Sequence, residues 1–245
     1  AIVKPVFSYS FYRKFGTKIF VVGNPNELRH AYARAHAGGE QTVLQEIIPG
    51  PDRDMVIVAS YWDGDGKCAG ELVIRKTHQY PPEFGVGQLC RVDKVPEAAA
   101  LSRRILEHIG YRGAVSDPEL KFDRRDNRWK LIEVNARTCM QTAIFSRAGC
   151  DLLDMMWRDK LGLPPIAPGR IRYGMGWVHE KNGLLRHKAY PKLRPSFGEY
   201  LRLYRMPLVP ALFRLTDPGP FFSDVWPVVR RRFKSEPATR ANSSR

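Results

Sequence analysis

No apolar run in the 245-residue chain approaches the length needed to cross a bilayer, and the N-terminus lacks the charged and apolar regions of a secretory leader. The expectation is a soluble or at most peripheral protein. Cysteine is scarce. Cys68, Cys90, Cys139 and Cys150 are scattered without C-x-x-C spacing, which argues against a zinc site and a disulfide framework and for a reduced, cytoplasmic setting. There is no internal repeat, no G-x-S-x-G nucleophile motif, and no recognisable RNA- or DNA-binding motif. Asp63-Gly64-Asp65-Gly66-Lys67 lacks the later glutamate and flanking helices of a calcium loop, so it reads as a hairpin turn. The chain also starts at Ala1, directly inside an apolar strand pattern, which suggests a fragment or a trimmed chain.

Acidic residues are in short supply, leaving a formal charge of +15. Residues 1–150 hold 22 Lys and Arg against 17 Asp and Glu, whereas residues 151–245 hold 18 against 8. The excess in the second stretch suits an anionic partner such as nucleic acid or lipid head groups, although most such runs are simply solvated. The basic cluster Arg230 to Lys234 is a candidate for peripheral contact with a membrane surface, behind a plain solvated face, since one short cluster binds weakly alone. Proline recurs throughout the region beyond Gly162, so long regular elements are not expected there, and residues 236–245 read as disordered. Within it, Tyr173 to His179 suggests one more strand and Tyr200 to Leu215 a broken helix.

What the chain does contain is a charged hairpin pattern. Asp117 to Asp123 and Trp129 to Asn135 alternate polar and apolar residues around a polar five-residue loop. Glu119, Lys121 and Asp123 share one face of the first strand. In the second strand Leu131, Glu133, Asn135 and Arg137 share a face, with Ile132 and Val134 opposite. With the loop centred on Asp126, Glu119 falls across from Glu133. Carboxylates opposed at about 5 Å between Cβ atoms repel unless a positive charge sits between them. A bound cation resolves this, and two carboxylates with the Asn135 amide oxygen form a hard-oxygen set suited to Mg²⁺, with Lys121 and Arg137 as candidate phosphate contacts.

E-L-K-F-D followed by K-L-I-E-V-N-A-R resembles the nucleotide-site signature of the ATP-grasp superfamily, especially its carbamoyl-phosphate-synthase-like carboxylate–amine ligases. The resemblance implies that Glu119, Glu133 and Asn135 hold Mg²⁺, or Mn²⁺ in its place, against ATP phosphates, and that Arg137 contacts phosphate or an acyl phosphate. It implies an α+β fold with a small lid subdomain over 1–47, a larger antiparallel-sheet catalytic subdomain over 48–162, and a Pro-rich basic extension over 163–245.

Other parts follow in the family's order. Lys4, at the end of the strand pattern A-I-V-K-P, matches the lysine that reaches ATP phosphates. The loop expected next, Ser8 to Lys18, departs from the family's glycine-rich form. It is aromatic and basic, with Arg13, Lys14 and Lys18 supplying charge in place of backbone N–H groups. A strand is expected at Lys18 to Val22, then a helix capped by Asn24-Pro25-Asn26-Glu27 that buries Leu28, Ala31, Tyr32 and Ala35. V-L-Q-E-I-I-P-G resembles the hinge between lid and body, which places Glu46 and Ile48 at adenine and Asp54 at ribose. A hairpin over Met55 to Trp62 and Ala69 to Lys76 leads to R-K-T-H-Q-Y-P-P, where Lys76 and Arg75 are candidates for the triphosphate and His78 stands where relatives often carry arginine. A helix over Pro96 to Ile109 and two more over Thr138 to Ala148 and Asp151 to Leu161 complete the pattern.

The activity implied is ligation of a small-molecule carboxylate to an amine through an acyl phosphate, with release of ADP and phosphate. Lys76 and Arg137 are the catalytic candidates. Two competing expectations are a truncated, inactive ATP-grasp fragment and a basic module that binds nucleic acid or another anion.

Overall fold

The computed structural model describes residues 1–233. The segment predicted to be disordered, 236–245, and Lys234 of the basic cluster lie outside the described residues. The chain forms two compact units, Ala1–Pro49 and the remainder from Gly50.

In the first unit, β1 (Ile2–Pro5), β2 (Phe20–Val21) and β3 (Thr42–Gln45) form an antiparallel sheet in the order β2-β1-β3. The stretch predicted as a loop is instead a helix, α1 (Ser8–Phe15), ended by Gly16 in the left-handed conformation at φ 69°. Phe11 is fully buried and packs against Phe15 and Phe20 with ring centroids 4.7 and 4.9 Å away. That 11/15 spacing is helical, and the aromatic cluster it builds outweighs the absence of a capping side chain. The second helix, α2 (Pro25–Ala37), starts as its sequence predicts. Asn24 accepts from the Glu27 N–H, and the Gly23 N–H donates to the Glu27 carboxylate at 2.7 Å. Ala35 is buried beneath it, but Tyr32 points outward, contrary to the expectation, because its neighbour is His36 on the helix's own surface.

The second unit is organised on a seven-stranded sheet in the order β10-β9-β6-β5-β4-β7-β8. Its strands are β4 (Met55–Trp62), β5 (Cys68–Tyr80), β6 (Val86–Val92), β7 (Ala114–Asp123), β8 (Arg128–Asn135), β9 (Gly176–Val178) and β10 (Leu208–Pro210). All neighbours are antiparallel except β9 and β10. The helices are α3 (Pro96–His108), α4 (Ala143–Ala148), α5 (Leu152–Lys160), α6 (Glu180–Ala189), α7 (Phe197–Tyr204) and α8 (Gly219–Phe233). β4 is buried along its whole length because both faces of the sheet are covered. On one face Ile57, Ala59, Tyr61, Leu72, Ile74 and Val115 pack with Phe145 of α4 and Leu152 and Met155 of α5. On the other, Val56, Val58, Val73 and Leu120 pack against Val95, Ala98 and Ala99 at the start of α3.

The region beyond Gly162 is not the element-poor extension that its prolines predict. β9 and β10 complete the sheet, and α8 is 15 residues long with Pro227 inside it. Pro207 and Pro210 are tolerated because β10 is an edge strand with one ladder to satisfy. The Glu180 carboxylate, at the start of α6, accepts backbone N–H groups of Ala211, Leu212 and Phe213 and ties down the chain leaving β10. Among the described residues no helix is long and apolar enough to cross a membrane.

Candidate functional site

The site is built on the β7–β8 hairpin. Asp117 pairs with Asn135 and Glu119 with Glu133, after which the register shifts and Leu120 pairs with Leu131. The expected opposition of the two glutamates is therefore present, but it is reached differently. A four-residue loop, 124–127, joins the strands, and a bulge at Ile132 supplies the missing step. The bulge also corrects the expected faces. Leu131 shares a face with Leu120, while Glu133 and Asn135 stay on the face of Glu119. On the other side of β7, the ladder to β4 lacks pairs at Asp117 and Pro118, where proline has no N–H to give.

Each glutamate already has a protein donor. Lys76 reaches from β5 across β4 to place its Nζ 2.7 Å from Glu119 Oε2, and the lysine side chain is only 3% exposed. The Asn135 Nδ2 donates to Glu133 Oε1 at 3.1 Å and to the Asp117 carbonyl at 3.4 Å. The positive partner that the opposed carboxylates require is thus supplied in part by Lys76. Two carboxylates and one amide remain a hard-oxygen donor set, and they fit a Mg²⁺ ion that completes its shell with phosphate and water. They fall short of a cage of three acidic, histidine or cysteine side chains, and no such group occurs among the described residues.

Asp117 is a third carboxylate on this face, one that the sequence reading passed over although the 117/119/121 alternation contains it. It is 1% exposed, and among the described residues no N–H or O–H reaches either oxygen. Burial pushes its acid up to about 7, while the Cys139 thiol and the Arg137 charge pull it back and Glu119 pushes it further. Burial likewise raises Cys139 well above the ordinary thiol range. Cys139 and the buried Gln141, which donates to the Gly87 carbonyl at 3.4 Å, hold down the segment that carries Arg137. Arg137 itself is exposed, and its guanidinium donates to the adjacent Thr138 carbonyl at 3.1 Å.

Other predicted residues lie apart from this cluster. Arg75 points to the opposite face, where it meets Asp93 at 2.5 Å, the Arg53 carbonyl at 2.6 Å and the Trp129 ring, so it and Lys76 cannot serve one phosphate. The Asp54 carboxylate is engaged by both ends of the Arg124 guanidinium at 2.7 and 2.8 Å. Lys121 is buried, which lowers its ammonium, and Asp52, Asp54 and Glu83 oppose that shift. Asp52 was missed as well. Its carboxylate accepts the backbone N–H and side-chain amide of Gln79 at 2.8 and 2.9 Å and so shapes the turn between β5 and β6. Lys4, Lys18, Glu46 and Ile48 belong to the first unit. There Lys4 lies opposite Val43, Lys18 and Glu46 are exposed, and Ile48 is buried.

No family model matches the chain. Among curated proteins it is 24% identical over 155 residues to a D-aspartate ligase of Enterococcus faecium (strain Aus0004), covering 61% of this chain and 36% of that one. Among solved structures it resembles a biotin carboxylase from Campylobacter jejuni in an ATP-related complex, with a TM-score of 0.54 and 17% identity, over 71% of this chain and 40% of the other. It also resembles the biotin carboxylase domain of Hydrogenobacter thermophilus 2-oxoglutarate carboxylase, solved with MgADP and bicarbonate. There the TM-score is 0.53 and the identity 18%, with the same coverage of 71% and 40%. The chain therefore spans little more than a third of the curated relative's length.

Proposed function

The chain has the ATP-grasp fold, and from that premise we propose that it is the nucleotide-handling part of an ATP- and Mg²⁺-dependent carboxylate–amine ligase. The observation that carries this reading is the placement of Glu119 opposite Glu133, with Asn135 and Lys76 against them. Glu119, Glu133 and Asn135 would hold the divalent ion, which neutralises charge on the phosphoryl oxygens when bound. Mn²⁺ has the same ligand preference and is the natural substitute.

In this reading Lys76 and Arg137 act on phosphate. Arg137 presents an exposed planar guanidinium able to take two oxygens of the transferred phosphoryl group or of the acyl phosphate. The γ-phosphoryl group passes from ATP to a substrate carboxylate oxygen, and ADP leaves. The amine then attacks the acyl carbon, losing a proton as phosphate departs and an amide forms. Phosphoryl transfer rests on positioning and charge neutralisation, so the absence of a nucleophile motif is no obstacle. Lys4, Lys18, Glu46 and Ile48 of the first unit are assigned to ATP by their match to the family, as are Asp54, Arg75 and Lys121 of the second. The engagement of Asp54 by Arg124 and the opposite facing of Arg75 weigh against those two assignments.

The acid and the amine are small molecules in this reading, with D-aspartate ligase as the relative whose name points to an amino acid. A reduced, cytoplasmic setting suits the four free thiols. A peripheral contact with anionic lipid is supported by α8, whose outer stripe carries exposed Phe222 and Trp226 followed by Arg230. Isothermal titration with MgATP tests the ligase reading. Metal-dependent binding that is lost in Glu133→Gln is expected. Binding of ATP that ignores both metal and this substitution would sink it, and salt-sensitive retention on DNA without any response to ATP would favour a basic binding module.

A further inference from the structure

Without a metal, the paired carboxylates are already matched. The Lys76 ammonium sits on Glu119 at 2.7 Å, and the Asn135 amide presents its N–H₂ side to Glu133 at 3.1 Å. A divalent ion arriving alone would have to displace a lysine that is 3% exposed. It would also have to turn the Asn135 amide so that its oxygen faces inward. The displaced ammonium would then be left in a buried position beside a dication, without the carboxylate it now holds. A polyphosphate arriving with the ion removes that penalty, because its oxygens accept Lys76 as Glu119 releases it.

We propose that Lys76 is an internal counter-ion that keeps a bare divalent cation out of the Glu119–Glu133 pair and exchanges Glu119 for phosphate when metal and nucleotide bind together. This deepens the ligase reading and rests on it. The consequence is a strong positive coupling between metal and nucleotide, in which each binds poorly alone. Lys76 then has two partners in sequence, and its burial beside Glu119 is the resting half of that exchange.

The test is an electron paramagnetic resonance titration of Mn²⁺ into the 245-residue chain without nucleotide. Lys76→Met and Lys76→Gln run beside the wild type, and each is first checked for a cooperative urea transition. The wild type is expected to bind Mn²⁺ weakly. Either neutral variant that folds is expected to bind it about tenfold tighter or more. Adding Glu133→Gln is expected to abolish the gain. In the same variants the strengthening of Mn²⁺ binding by ADP should shrink. Tight, Glu133-dependent binding of bare Mn²⁺ by the wild-type chain would overturn the proposal without reference to any Lys76 variant, as would a folded variant with no gain. Calorimetry of Mn²⁺–ADP on the wild type separates the two levels. If that complex fails to bind, the ligase reading itself fails. If it binds while the neutral variants gain nothing, only the counter-ion exchange fails.

Discussion

Lys76 and Glu119 form the most enclosed ion pair of the site, and removing either partner alone strands the other in a poorly hydrated position. Glu119→Ala is therefore expected to lower stability by about 3 kcal/mol, while Glu133→Ala, which takes one acceptor from a half-buried amide that still reaches the Asp117 carbonyl, should cost about 1 kcal/mol. Urea unfolding midpoints at constant slope check the difference, and equal costs would contradict the pairing. His78 gives a pH signature. Burial holds its imidazolium down, to about 4 from 6.5, with the Arg186 charge adding to the effect. The unfolded chain takes up this proton first, so the neutral histidine contributes stability that is intact above pH 6.5 and is lost as pH falls toward 4, by at most about 3 kcal/mol. His78→Gln should flatten that part of the stability profile, and an unchanged acid slope would exclude His78 as its source. The opposition of Glu119 and Glu133 was legible because strand alternation maps sequence spacing onto faces. Asp117 and Asp52 were not, since a single acid at a strand start or in a one-turn segment looks like any solvated carboxylate until its burial and partners are seen.

Elements with a regular apolar period were readable. The bounds of β4 and the cap of α2 follow directly from the pattern of their residues. α1 was not readable, because its basic and aromatic content masks a short helix whose only strong signal is the Phe11/Phe15 spacing. The bulge at Ile132 and the four-residue loop cancel in register, so the glutamate pairing could be expected correctly with the wrong loop length. Beyond Gly162 the proline rule misled, since edge strands and connections absorb most of those prolines and the region joins the sheet of the second unit. α8 carries the prediction at this scale. Val225 faces inward and Lys181 meets Asp224 at 2.5 Å, which leaves Phe222 and Trp226 outward, each 56% exposed, with Arg230 one turn on. Co-sedimentation with phosphatidylglycerol-containing vesicles is expected at low salt. It should be lost with phosphatidylcholine alone and weakened about tenfold or more by Phe222→Ala with Trp226→Ala, given the apolar area removed. Equal sedimentation of wild type and double variant would contradict a lipid-facing α8.

At the scale of the molecule, charge and fold separate cleanly. The +15 balance describes the surface, whereas the assignment of chemistry comes from one hairpin and the lysine that reaches it. Lys4, Lys18, Glu46 and Ile48, proposed above for ATP, lie in the first unit, and the carboxylate pair lies in the second. The most direct test of the central claim is anomalous scattering from crystals grown with Mn²⁺ and a non-hydrolysable ATP analogue. One or more peaks bonded to both Glu119 and Glu133, with Lys76 turned onto the phosphates, is the result expected. Nucleotide bound with no metal peak at this pair, and Lys76 still seated on Glu119, would contradict it.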